Sequence, residues 1–219
     1  MRTVEDIQHT LYINLERRPD RRQVVLTELE KLGWANNPLW FKAVEMANGA
    51  IGCSISHIKC IELAKKLNWE HVMICEDDIK FTSPLEFTEN LNLFLSSGIE
   101  WNGILLAGNN VGPYRHTNKG AVQIQMCQTS TGYIVKREYY DTLLNNFKEG
   151  VTKLLREPMN HRTYAIDKYW FSLQSKDQWY LIYPLTVTQQ SSYSDIENRI
   201  TNYDKMMLTL DKSSWFTRK

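Results

Sequence analysis

The amino-acid sequence predicts an α/β fold, a sheet flanked by helices. Three observations carry that expectation. Short apolar runs of β-favouring residues alternate along the chain with segments of helical period. One such run, residues 72–75 (Val-Met-Ile-Cys), leads straight into Glu76, Asp77 and Asp78, and the carboxyl ends of strands are where open α/β sheets take ligands. A strand-like segment at residues 9–15 passes through an arginine-rich loop into an amphipathic run closed by Gly33. With 219 residues, 42% of them hydrophobic, the chain can bury one substantial core, and its 23% charged content is that of a folded protein. No internal repeat or low-complexity linker divides it, so one domain over residues 1–219 is expected.

Taken in order, residues 9–15 are the first strand. Proline at position 19, Asp20 in the first turn and Gly33 past the end are start and stop signals for a helix built on Val24, Val25, Leu26, Leu29 and Leu32. The loop between them holds Arg17, Arg18, Arg21 and Arg22. Free N–H groups at a helix start and these guanidinium groups suit an anion, although a solvated basic face would look the same. Neither a dinucleotide nor a P-loop glycine pattern is present.

Residues 40–44 read as a second strand. Gly49 and Gly52 suggest close backbone approach at the start of a helix that carries Cys53, His57 and Cys60. His57 there reads as a hydrogen-bonded core histidine rather than a base. After the acidic triplet come a helix over 87–95, a strand over 101–108 and a long Gly- and Asn-bearing loop over 109–120. Strands over 122–127 and 132–135 precede a helix over 139–147. Asp167 falls just before a short aromatic helix, where a capping role is the plain alternative to a chemical one. Residues 179–187 read as a last strand, placed at an edge by Pro184, and residues 201–219 as a polar tail.

The balance of 26 basic against 25 acidic residues, a formal charge of +1, argues against nucleic acid as a partner. The first ten residues lack an apolar signal-peptide core, and no stretch reaches the ~20 apolar residues of a membrane span. The four cysteines form neither a CxxC pair nor a zinc pattern, so buried, reduced thiols and a cytoplasmic setting are expected. Three consecutive acids at a strand end repel one another, and a divalent cation with oxygen ligands is the economical counter-charge. An acidic loop before a helix opening at Ser83 and Pro84 is the alternative.

The order of the segments 12–22 (Tyr-Ile-Asn-Leu-Glu-Arg-Arg-Pro-Asp-Arg-Arg), 52–57 (Gly-Cys-Ser-Ile-Ser-His) and Glu76-Asp77-Asp78 continues with Gly132-Tyr133, Asp167, Pro184, Gln189-Gln190 and Ser194-Asp195-Ile196. Together they resemble glycosyltransferase family 25, which includes bacterial lipooligosaccharide glycosyltransferases, collagen galactosyltransferases and giant-virus relatives. The resemblance implies a GT-A fold, a Rossmann-like mixed sheet flanked by helices, and an inverting, metal-dependent transfer of a hexose, galactose favoured over glucose or N-acetylglucosamine. The donor would be a UDP-sugar and the cofactor Mn²⁺, or else Mg²⁺. A glycan, a lipooligosaccharide or a collagen-like hydroxylysine would be the acceptor, in a bacterial or virus-infected host cell. It places the donor half at about residues 9–110 and the acceptor half at about 111–200.

It also implies roles. Asn14 and Leu15 would support the base and ribose, with Arg17, Arg18 or Arg21 near the phosphates. Asp78 would be the direct metal ligand and Glu76 a second, strand alternation setting both on one side. Glu76 and Asp77 would hold metal-bound water or ribose hydroxyls. Gln189 and Gln190 would stand near the metal, and Asp195 in its outer shell or at the donor. Asp167 would be the base, and Tyr114, Tyr133, Tyr169 and Trp170 could stack on sugar faces. A metal-dependent nucleotidyl- or phosphotransferase, and a non-catalytic sugar-nucleotide-binding module, remain the alternatives. A homodimer is left open.

Overall fold

A computed structural model describes residues 1–194 and 199–216. The chain opens with β1 (Thr10–Asn14), α1 (Pro19–Glu30), β2 (Leu39–Lys42), α2 (Gly49–Lys66) and β3 (His71–Glu76). It continues with β4 (Ile79–Phe81), α3 (Pro84–Leu95), β5 (Gly103–Leu105), β6 (Asn109–Asn110), β7 (Tyr114–His116), β8 (Ala121–Ile124), β9 (Cys127–Gln128) and β10 (Gly132–Lys136). Then come α4 (Tyr140–Arg156), three single-turn helices α5 (His161–Tyr164), α6 (Ile166–Tyr169) and α7 (Phe171–Gln174), and β11 (Trp179–Ile182). The described chain closes with β12 (Val187–Gln189), β13 (Ser192–Ser194), β14 (Arg199–Thr201), α8 (Asp204–Met207) and α9 (Ser213–Phe216).

Among the described residues one eight-stranded sheet runs β2-β1-β3-β10-β5-β11-β8-β7. β1 lies parallel to both β2 and β3, whereas β10 is antiparallel to β3 and β5, so the sheet is mixed as expected. Side-chain alternation sorts its two faces. Tyr12, Met73, Cys75, Ile104, Ile134 and Tyr180 pack with Val25 and Leu29 of α1 and Phe87, Leu91 and Phe94 of α3. Leu11, Ile13, Val72, Ile74, Tyr133 and Trp179 pack with Ile58 and Ile61 of α2 and Leu143 and Phe147 of α4. Every residue of β1, and all but the ends of β3, is buried, as strands covered on both faces must be.

Several expectations change. The strand before Pro184 ends at Ile182 and lies between β5 and β8, not at an edge. The proline follows it in a cis peptide bond, outside the ladder. The segment over 109–120 is not one open loop: β6 pairs with β9 and β7 with β8. The helix expected to stop at 147 runs on to Arg156, because Val151 and Leu154 continue its buried face. The supposed polar tail packs against the domain, with Met207 fully buried and Lys212 donating to the Asn110 carbonyl at 2.9 Å. Two or three apolar anchors among polar residues are too few to show as periodicity. Strands from residues 9–110 and from residues 111–200 share the one sheet.

Candidate active site

A cleft of about 1250 Å³ opens where β1 and β3 end, walled by α2, by the turn after β3, by residues 128–130 and by the α5–α6 segment. That exceeds the ~300–1,000 Å³ of most small-molecule sites. Among the lining residues are Leu15, Arg17, Arg21, Glu76, Asp77, Asp78, Asp167 and Gln189. The strand-end acids and the distant Asp167 therefore meet in one place. Arg18, Asn14 and Gln190 behave differently, as follows.

Asn14 lines the cleft but its side chain is committed: Nδ2 donates to the Arg18 carbonyl at 2.9 Å and to Asp77 Oδ2 at 2.7 Å, and Oδ1 accepts from Arg22. Asp77 takes Arg21 on its other oxygen at 3.0 Å. Burial raises the Asp77 carboxyl above its ordinary range although Arg21 and Asn14 pull it down. Asp77 thus ties the end of β1 and the start of α1 to the end of β3. Arg17 pairs with Glu45 at 2.6 Å on the rim, and Arg18 with Asp20 at 2.8 Å outside the cleft lining.

The strand stops at Glu76, and Asp77 and Asp78 form a turn, so alternation does not set the direction of Asp78. A tight reversal into β4 does so instead, and β4 pairs with β12. That pairing brings Gln189 to the acids, its Nε2 3.5 Å from Asp78 Oδ1, and the Gln190 N–H donates to the Asp78 carbonyl at 2.6 Å. The Gln190 side chain turns away, donating to Glu28 at 3.2 Å. Burial, then the negative charges of Glu76 and Asp77, drive the Asp78 carboxyl well above its ordinary value. Asp195 lies outside the described residues.

Glu76 has a denser setting. Its Oε1 is 3.1 Å from His57 Nε2, accepts from the Ser130 hydroxyl and lies 3.8 Å from Cys53 Sγ. Burial pushes this carboxyl up, yet the His57 and Ser130 hydrogen bonds outweigh it and hold the group below its usual range. His57 is fully buried, with Nδ1 3.1 Å from the Tyr133 hydroxyl, which is the core histidine expected. Cys53 and His57 sit four residues apart on α2, hence on one face. Gly52 makes this possible: a Cβ there would lie 2.5 Å from the Val44 carbonyl oxygen.

Asp167 lies inside the first turn of α6, with Ala165 at the cap position, so it is not a capping residue. Its Oδ2 accepts from the Thr129 N–H at 3.2 Å, and burial raises its carboxyl above the ordinary range. Thr129 holds φ at +78°, an uncommon conformation for a β-branched residue. Neither Thr129 nor Ser130 carried any sequence signal; both reach the site because β10 runs antiparallel beside β3. Tyr133 and Trp170 are wholly buried and cannot stack on a sugar, and Tyr114 lies outside the cleft on β7. Tyr169 is partly exposed, but its hydroxyl bonds Lys153 and it too lies outside the cleft lining.

The acids fit a hard divalent cation. Glu76, Asp77 and Asp78 set three carboxylates side by side; Arg21 answers Asp77, while burial and two negative neighbours raise the Asp78 carboxyl, a cost that a cation would relieve. Cys53, His57 and Glu76 also present ligand atoms within 4.8 Å of one another. There the Cys53 thiol is pushed well above its ordinary value, by burial and then by Glu76 and Asp167, which disfavours the thiolate a soft metal needs.

Fold and site together define an α/β domain with an acidic, polar cleft at the carboxyl ends of parallel strands. Residues 35–169 match the sequence profile of glycosyltransferase family 25 (LPS biosynthesis protein), more than half of the chain, and the chain belongs to that family of sugar transferases. A glycosyltransferase 25 family member of Aedes aegypti is 30% identical, over 34% of this chain and 17% of that protein, so this chain spans only a small part of that relative's length. Among solved structures, a mannose-1-phosphate geranyltransferase from Thermus thermophilus aligns with a TM-score of 0.47 at 12% identity, covering 83% of this chain and 74% of the other. A glycosyltransferase involved in glycosylation of the major capsid of PBCV-1 aligns at 0.41 and 10% identity, covering 80% and 91%. A Drosophila β-galactosyltransferase 7 mutant in complex with manganese, UDP-Gal and xylobiose aligns at 0.39 and 12%, covering 96% and 79%. Likeness at this level says nothing about chemistry. No helix among the described residues is long and apolar enough to cross a membrane.

Proposed function

We propose that this chain is a GT-A-type, inverting glycosyltransferase that moves a hexose, galactose favoured, from a UDP-sugar to a hydroxyl of a glycan or a glycosylatable protein. The observation that carries the reading is the meeting, in one cleft, of the strand-end acids Glu76 and Asp78 with a separate buried carboxyl group, Asp167. Asp78, with Glu76 and Gln189 beside it, would hold Mn²⁺ or Mg²⁺, and such an ion supplies charge stabilisation to a departing diphosphate. Asp77 keeps β1, α1 and β3 in register rather than facing the donor. Leu15, Arg17 and Arg21 line the side of the cleft where the nucleotide would rest. Asp167 takes the proton of the acceptor hydroxyl as that oxygen attacks, a role that burial and the Thr129 N–H prepare by fixing the carboxylate in place.

The test is a panel of UDP-sugars and nucleoside triphosphates, with and without Mn²⁺, followed by release of UDP or phosphate. Hydrolysis of one UDP-sugar that needs the metal is expected, and Asp78→Ala should abolish it. Turnover of triphosphates alone would replace this reading with phosphoryl or nucleotidyl transfer. Binding of UDP without any turnover, acceptor included, would make the chain a binding module.

A further inference from the structure

The Glu76 carboxylate is oriented by His57, fully buried in the cleft wall, and behind it by Tyr133, which lies outside the cleft lining. His57 and Tyr133 are both fully buried. Their atoms form a line: Tyr133 hydroxyl, 3.1 Å to His57 Nδ1, across the ring, and 3.1 Å from Nε2 to Glu76 Oε1. With an ionised Glu76 and a neutral His57 ring, one hydrogen pattern satisfies this line. Its carboxylate can only accept, so Nε2 must carry the hydrogen; Nδ1 then accepts from the tyrosine O–H. Ser130 donates to the same Oε1, whereas Oε2 has no hydrogen-bond partner among the described residues. These two donors, and the Cys53 thiol at 3.8 Å, thus converge on one oxygen and leave the other for the cleft.

We propose that His57, held by Tyr133, is a positioning residue that turns Glu76 Oε2 toward the donor diphosphate and its cation. The inference rests on the sugar-transfer reading for what Glu76 meets, but not for the hydrogen pattern. The same loop links the two acids: Ser130 holds Glu76 while the neighbouring Thr129 N–H holds Asp167. A histidine that orients a carboxylate from behind is the mirror of the common arrangement in which a carboxylate orients a metal-bound histidine. Loss of such supporting partners typically costs about 10–100-fold in metal affinity or activity.

The experiment measures three things at one fixed pH. Calorimetry of Mn²⁺ with UDP should show affinity falling roughly 10–100-fold in His57→Ala, with KM for the donor rising alongside. His57→Gln, whose side-chain amide can donate where Nε2 did, should restore most of the loss; a purely space-filling role would not distinguish Gln from the near-isosteric Leu. ¹⁵N spectra of the wild type should show His57 protonated at Nε2 and not at Nδ1. If His57→Ala does not fold, Tyr133→Phe keeps the volume, removes only the donor to Nδ1, and should lower Mn²⁺–UDP affinity in the same direction. A folded His57→Ala with unchanged affinity and KM, or a hydrogen on Nδ1, overturns the proposal. If the wild type itself ignores Mn²⁺ and UDP, the sugar-transfer reading falls, and the ¹⁵N result still decides the hydrogen pattern.

Discussion

Asp77 and Asp78 are adjacent in the chain yet live under different electrostatic conditions. Both oxygens of Asp77 are taken, by Asn14 and Arg21, while Asp78 has the weak approach of Gln189 and two negative neighbours. Charge compensation therefore separates Asp77, committed to holding the strand ends, from Asp78, the acid left for the proposed cation, which residue type alone does not. Asp167 follows the same logic. Its carboxyl is raised above the ordinary aspartate value of 3.8, burial being the main cause. On the proposed reading Asp167 is the base and must be deprotonated to act, so below the raised value it would keep its own proton and transfer would be slow. The acid limb of kcat/KM against pH should accordingly lie above 3.8 and vanish with the transfer activity in Asp167→Asn, while UDP affinity, read by calorimetry, stays nearly unchanged.

At the scale of elements, two placements build the site. β10 enters antiparallel between β3 and β5, which brings the residues preceding it, Thr129 to Thr131, to the carboxyl end of β3; the Glu76 N–H donates to the Thr131 carbonyl at 2.9 Å. α2 starts hard against the chain leaving β2, with Asn48 capping it through the N–H groups of Ala50 and Ile51, and the Ser56 hydroxyl accepting from the Val44 N–H at 2.8 Å. Gly52 allows that approach. Gly52→Ala forces a methyl group against the Val44 carbonyl, and a backbone atom cannot swing aside. The expected cost is about 1–3 kcal/mol of stability, visible as a lower denaturant midpoint. Donor turnover should fall as well, because α2 carries Cys53 and His57 to Glu76.

Over the whole molecule, the cleft lies between the ends of parallel strands and segments from the second half of the chain: residues 128–130, α5–α6 and the stretch from Arg199 to Met206. A ligand that fills it bridges segments from the two halves of the chain. UDP and Mn²⁺ together should therefore raise the melting temperature more than either alone, and chelation should reverse the gain. At one hundred times the dissociation constant the stabilisation is about 2.7 kcal/mol. Asp78→Ala should lose the metal-dependent part in a thermal-shift series while melting normally without ligand. Equal shifts with and without Mn²⁺ would mean that the nucleotide binds independently of the acids.

The sequence by itself determined the α/β class, the strand that ends in Glu76-Asp77-Asp78, the helix after the arginine loop and the buried state of His57. Each of these rests on local periodicity, turn chemistry or residue type within a dozen positions. Membership of glycosyltransferase family 25 was legible too, in the order of short motifs. Tertiary structure decided what depends on pairing between distant segments: the interior place of β11, the packing of residues 201–216, the turning away of Gln190 and the burial of Tyr133 and Trp170. It also decided the company of Ser130 and Thr129, since a loop residue gains a role from the strand beside which the sheet sets it. Local interactions fall off within a few residues along a chain; sheet order joins residues more than fifty positions apart, and only the fold supplies that distance.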